Sequence, residues 1–130
     1  MSYSNRSKLV PFSTLVGKTL TKIEGGVDNE SVKFYDSEGG VYLMYHEQDC
    51  CESVSLQDVI GIDLQELVGD PVLYAHEESN GDRPDDYEQG NDSQTWTFYK
   101  ISTIKGMATL RWLGQSNGYY SESVDFAKIA

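Results

Sequence analysis

A chain of 130 residues is the length of one domain and can bury a single core without disulfide or metal staples. Its 21 acidic residues against 10 basic give a formal charge of −11, which repels nucleic acid and anionic membranes and favours a basic partner. No apolar run approaches the roughly 20 residues of a membrane span, and "MSYSNRSKLVPF" lacks a signal-peptide core, so the expectation is a cytoplasmic protein without membrane contact.

The first predicted element is a helical turn in "PFSTLVG", where Pro11 suits a helix start and Gly17 its end. A strand follows through "KTLTKIE", then a hairpin whose turn is "DSEGG", since glycine tolerates positive φ. Val41, Leu43 and Tyr45 alternate with more exposed neighbours, the period of a strand with one buried face. The loop "YHEQDCCESV" from Tyr45 leads to a last strand that presents Val54 and Leu56.

The same order then recurs. "DLQELVG" is a second helical turn, with Asp63 as N-cap and Gly69 as stop. "LVGKTLTKIE" from Leu15 returns as "LVGDPVLYAHE" from Leu67, and "VKFYDSEGGVYLMYHEQ" as "WTFYKISTIKGMATLRWLGQ" from Trp96. "ESVSLQDVI" from Glu52 returns as "ESVDFAKIA" from Glu122, with Val124 and Phe126 in place of Val54 and Leu56. The offset is 52 from Leu15 to Leu67, 64 from Phe34 to Phe98, 67 from Gln48 to Gln115 and 70 from Glu52 to Glu122. It only grows, as small insertions in the second copy require. The expected architecture is a single α+β domain over 1–130, mainly antiparallel β. It holds two tandem-duplicated units, about 12–60 and 64–130, related by a pseudo-twofold axis. A single sheet and a two-sheet sandwich both satisfy this pattern.

The copies differ most over 77–94, "EESNGDRPDDYEQGNDSQ", where seven acids face Arg83 alone and contribute −6 of the net charge. Such a tract lacks the apolar content to fold by itself and is expected to be a loop. It is either a solvated linker or, through Asp82, Asp85, Asp86 and Glu88, an acidic finger for a basic surface.

"YHEQDCCESV" gathers most of the reactive side chains. Cys50 and Cys51 are the only cysteines, and their adjacency argues against a disulfide framework. A metal site would need three or four converging ligands from His46, Asp49, Cys50, Cys51 and His76. The spacing fits no zinc pattern, and adjacent residues of an extended chain point to opposite faces. A cysteine nucleophile beside His46 is opposed by the surrounding acids, which favour the thiol. Glu52 and Glu122 would meet as an acid/base dyad only if the twofold brings them together. A Glu-Ser step that satisfies loop N–H groups is the plainer reading. Phosphate loops, dinucleotide fingerprints and nucleophile elbows are absent, so neither a cofactor nor catalysis is expected. Tyr119 and Tyr120 can line a pocket or cap a core.

"YHEQDCCESV", "TWTFYKISTIKG" and "SNGYYSESVDF" together resemble a family of small uncharacterised proteins of bacteriophages and prophage-bearing bacterial genomes. The likeness runs from Gly17 to Phe126, "QDCCES" is its most specific part, and the acidic tract lies outside it. The resemblance brings no established activity or ligand; it implies a viral protein in the host cytoplasm that binds and neutralises a host component. The leading expectation is therefore a non-catalytic antagonist of a host defence factor. It docks a basic protein surface, and a homo-oligomer is compatible with this. One alternative is sequestration of a small nucleotide-like signal between loops 46–53 and 115–122. Tyr119, Tyr120, Glu52, Glu122 and Arg111 would contribute, with Lys100 or Lys105 offsetting the charge. The other is a metal- or cysteine-dependent enzyme centred on His46 to Glu52.

Overall fold

Alternating apolar residues build nine strands among the described residues of the computed structural model, which cover 8–27, 31–46, 52–81, 93–116 and 123–130. They are β1 (Lys8–Leu9), β2 (Leu20–Gly25), β3 (Ser31–Asp36), β4 (Val41–Tyr45), β5 (Ser53–Gly61), β6 (Tyr74–Gly81), β7 (Ser93–Thr103), β8 (Gly106–Ser116) and β9 (Asp125–Lys128). Every pairing is antiparallel, and the strands form two sheets, β1-β9-β4-β3-β2 and β5-β8-β7-β6. The open choice between one sheet and two is thereby decided.

Among the described residues the expected α component is not found. "PFSTLVG" and "DLQELVG" form 3₁₀ turns of four residues each, Phe12–Leu15 and Leu64–Leu67. Segments this short, closed by a glycine, cannot offset the cost of nucleating an α-helix. Gly17 and Gly69 do terminate them, at φ 89° and 103°. Asp63 occupies the N-cap position but makes no side-chain cap bond.

The strand exchange is the main topological fact. β2, β3 and β4 run consecutively in the first sheet, yet β5 leaves it to pair with β8 in the second. Conversely β6, β7 and β8 run consecutively in the second sheet, while β9 leaves to pair with β4. Where the halves meet, the Gly17 N–H donates to the Val72 carbonyl (2.8 Å) and the Gly69 N–H to the Leu20 carbonyl (2.8 Å). Thr19 bridges Pro71 between them. All three contacts join residues, or swapped partners of residues, that stand 52 apart in the chain.

One buried cluster draws on both sheets and both turns. Phe12 sits edge-on to Phe34 (6.3 Å) and Phe126 (5.1 Å) of the first sheet and to Tyr99 (4.9 Å) of the second. Trp112, fully buried, donates its indole N–H to Met44 Sδ at 3.1 Å across the gap. Such rings bury large areas and prefer these edge-to-face geometries.

Two expectations about faces need correction. In β4 the core residues are Tyr42 and Met44, while Val41 and Tyr45 are half-buried. Leu43 is also buried, on the opposite face, so both faces are covered and the period-two signal is lost. The second concerns the Phe-Tyr match: Phe34 is in the core, but Phe98 is half-buried and Tyr99 takes the core position. Aligning identical letters there slips the register by one residue, which reverses every side chain.

The tract 77–94 is shorter as a loop than its composition suggested. β6 continues through Gly81 and β7 begins at Ser93, with Glu77 opposite Tyr99 and Glu78 opposite Phe98. The β-forming partners Thr95 to Tyr99 impose the strand on acidic residues that would not choose it alone. Asp82, Asp85, Asp86 and Glu88 lie outside the described residues.

Candidate functional site

Two clusters of functional side chains stand out, one at a pole of the fold and one on an outer sheet face. At the pole, His46 follows β4, Glu52 precedes β5 and Ser123 precedes β9, so the strand exchange itself brings them together. His46 Nδ1 lies 2.6 Å from the Ser123 carbonyl oxygen, and Nε2 lies 2.7 Å from Glu52 Oε2. The two side chains are only 3% and 0% exposed.

A carbonyl oxygen can only accept, so Nδ1 carries a proton and donates it. The Nε2–Oε2 contact needs one further proton, held as imidazolium–carboxylate or as imidazole–carboxylic acid. Either way the pair is neutral overall, which allows a carboxyl group to sit fully buried. Both ring nitrogens are thereby engaged. His46 could serve as a metal ligand or a base only by giving up one of these bonds, so the arrangement is a clamp on three chain segments.

Among the described residues no three His, Cys, Asp or Glu side chains converge as a metal group would. Asp49, Cys50, Cys51, Tyr119, Tyr120 and Glu122 lie outside the described residues, so neither the Glu52/Glu122 dyad nor the tyrosine pocket can be placed. His76 sits on β6, half exposed and 3.6 Å from Glu78, on a different strand from His46.

The second cluster is on the outer face of the β5-β8-β7-β6 sheet. Thr97, Tyr99 and Ile101 of β7 point into the core, so Trp96, Phe98 and Lys100 point away from it. The Trp96 and Phe98 rings are parallel within 2° at 6.2 Å. Arg111 lies with its guanidinium 5.3 Å from the Trp96 ring centre and forks onto Asp58 through two bonds of 2.7 Å. The Arg111 bond holds the Asp58 carboxyl below the usual carboxylate range, and the same bond raises the guanidinium.

Among the described residues, the lysines of this region are engaged as well. Lys100 is 3.4 Å from Glu78, and Lys105 is 3.1 Å from Asp70 and 3.2 Å from the Val68 carbonyl. Arg111 and Lys100 thus already face carboxylates that a nucleotide phosphate would have to displace. Arg111 is also four residues along β8 from Gln115, the partner of Ser53, or about 13 Å from the pole that holds Glu52.

This outer-face cluster escapes a reading of the sequence. "TWTFYKI" is apolar on both faces, so it shows no alternation, and Asp58 meets Arg111 only through the exchanged strand. The one available signal is the Trp-x-Phe spacing, which places both rings on one side of a strand.

The family model for a domain of unknown function, DUF7448, matches residues 13–126, and the chain belongs to this family. That span includes both clusters and the tract between β6 and β7. No curated protein and no solved structure matches the chain. Among the described residues no helix is long and apolar enough to cross a membrane.

Proposed function

We propose that this protein is a non-catalytic acidic binding protein that docks a basic protein surface. Phage origin and antagonism of a host defence factor are part of this proposal. The observation that carries it is the pairing of charges on the second sheet. The cations Arg111 and Lys100 already face Asp58 and Glu78, so they cancel little of the excess negative charge of the adjoining segment. That segment leaves β6 after Gly81 and rejoins at Ser93, next to Trp96 and Phe98. Long-range attraction would speed association with a basic partner, and the half-buried rings offer apolar contact once it arrives.

The closed His46–Glu52 clamp supports the non-catalytic reading, because its nitrogens are already committed. We further propose that the chain arose by duplication of a half-length unit. What supports this is the matched order of strands, the reciprocal exchange of β5 and β9, and the reciprocal Gly17–Val72 and Gly69–Leu20 bonds.

The test replaces Asp82, Asp85, Asp86 and Glu88 together by Asn or Gln and measures capture of host proteins against salt. The parent should retain one or more basic host proteins in a salt-sensitive manner, and the variant should lose them. Equal capture by both proteins would refute the reading.

A further inference from the structure

The outer face of the second sheet brings an aromatic ring and a carboxylate within reach of a guanidinium in two places. In the first, Arg111 of β8 stands between the two groups, lying over Trp96 of β7 and forking onto Asp58 of β5. The second is Phe98 with Glu78, direct cross-strand partners on β7 and β6. Among the described residues no arginine contacts it. Glu78 is 51% exposed and meets Lys100 at 3.4 Å and His76 at 3.6 Å, both longer than the 2.7 Å of the Arg111–Asp58 fork.

We propose that Phe98 and Glu78 form a docking position for an arginine side chain of a partner protein. This rests on the basic-partner reading above and names the residue type that the face selects. A guanidinium suits it better than an ammonium because it is planar, stacks on a ring and bonds a carboxylate through two N–H groups at once. A second copy of this chain is disfavoured as the occupant, since each copy carries −11 and like charges would face one another. Nucleic acid and anionic lipid are opposed by the same charge. The face is continuous with further exposed apolar groups, Tyr74, Ile60 and Met107, which extend the contact area beyond a single side chain.

The experiment titrates the full chain with octa-arginine and octa-lysine at low salt, by calorimetry and by tryptophan emission. Trp112 is fully buried, so an emission change on binding reports Trp96. Octa-arginine is expected to bind several-fold more tightly than octa-lysine, on the order of three- to tenfold for one stacked, forked guanidinium. Phe98→Ala and Glu78→Gln should each bring the ratio close to one. Glu78 is exposed, so its variant keeps the fold even if Phe98→Ala does not. If both peptides bind and the preference survives both variants, the arginine position is wrong while the acidic-binding reading stands. If neither peptide binds, both fall.

Discussion

Replacing His46 by Ala removes a partner of a carboxyl group that is completely shielded from water. Glu52 loses its 2.7 Å bond and the Ser123 carbonyl loses its 2.6 Å donor. Removing one member of a buried hydrogen-bonded pair costs about 3–5 kcal/mol at the ionic end of the range, because the remaining group loses a contact it was buried with. For 130 residues the entropy of unfolding is about 0.27 kcal/mol/K, so a loss of 3–5 kcal/mol lowers Tm by roughly 11–18 °C. Differential scanning calorimetry at neutral pH would read this directly. Changing both residues together, His46→Leu with Glu52→Leu, should cost much less than the sum of the single losses. If His46→Ala lowers stability by under about 1 kcal/mol, or if the double change is additive, the clamp is not a coupled buried pair.

Two further expectations follow from the turns. Asp36 Oδ1 accepts N–H bonds from Glu38 (2.8 Å) and Gly40 (2.7 Å), and Oδ2 accepts from the Tyr42 hydroxyl (3.1 Å). Burial opposes its ionisation, but these bonds outweigh it and hold its pKa below the ordinary carboxylate value, while burial and Asp36 push Tyr42 up to about 12. A carboxylate with a depressed folded pKa contributes stability above its unfolded pKa of about 4 and loses it as pH falls through the folded value. Asp36→Ala should therefore cost about 2 kcal/mol at neutral pH, and the gap to the parent in urea melts should narrow below pH ~4. Equal losses at both pH values would contradict the ionised hydrogen-bonded turn. The second comparison is between glycines. Gly17 has φ 89° but open space around a Cβ, so Gly17→Ala should cost only about 1–2 kcal/mol. Gly61 has φ 100° and its Cβ would collide with the Met107 carbonyl, so Gly61→Ala should exceed about 3 kcal/mol in the same melts and separate β5 from β8. A Gly61→Ala loss no larger than that of Gly17→Ala would refute the close approach.

What the sequence could determine was local. Val54 with Leu56 and Val124 with Phe126 show their buried face through spacing alone, and all four are in the core. Gly17 and Gly69 mark the ends of their turns, since a position with positive φ selects glycine whatever lies around it. Leu15 and Leu67 repeat in order and both are fully buried. The face of β4 and the register of β7 were misread because each strand carries apolar groups on both sides, so alternation no longer identifies the core.

Only the tertiary structure decided the exchange of β5 and β9, because backbone pairing between distant strands leaves no signature in the letters of either. Everything that depends on it was equally hidden. His46 reaches the Ser123 carbonyl, 77 residues away, and Arg111 reaches Asp58 across 53 residues. Both contacts join residues of opposite halves of the chain. A sequence shows which side chains could carry a charge, but the crossing of the strands determines which charges meet and are neutralised. On the outer sheet, that pairing leaves Phe98 and Glu78 with the looser contacts.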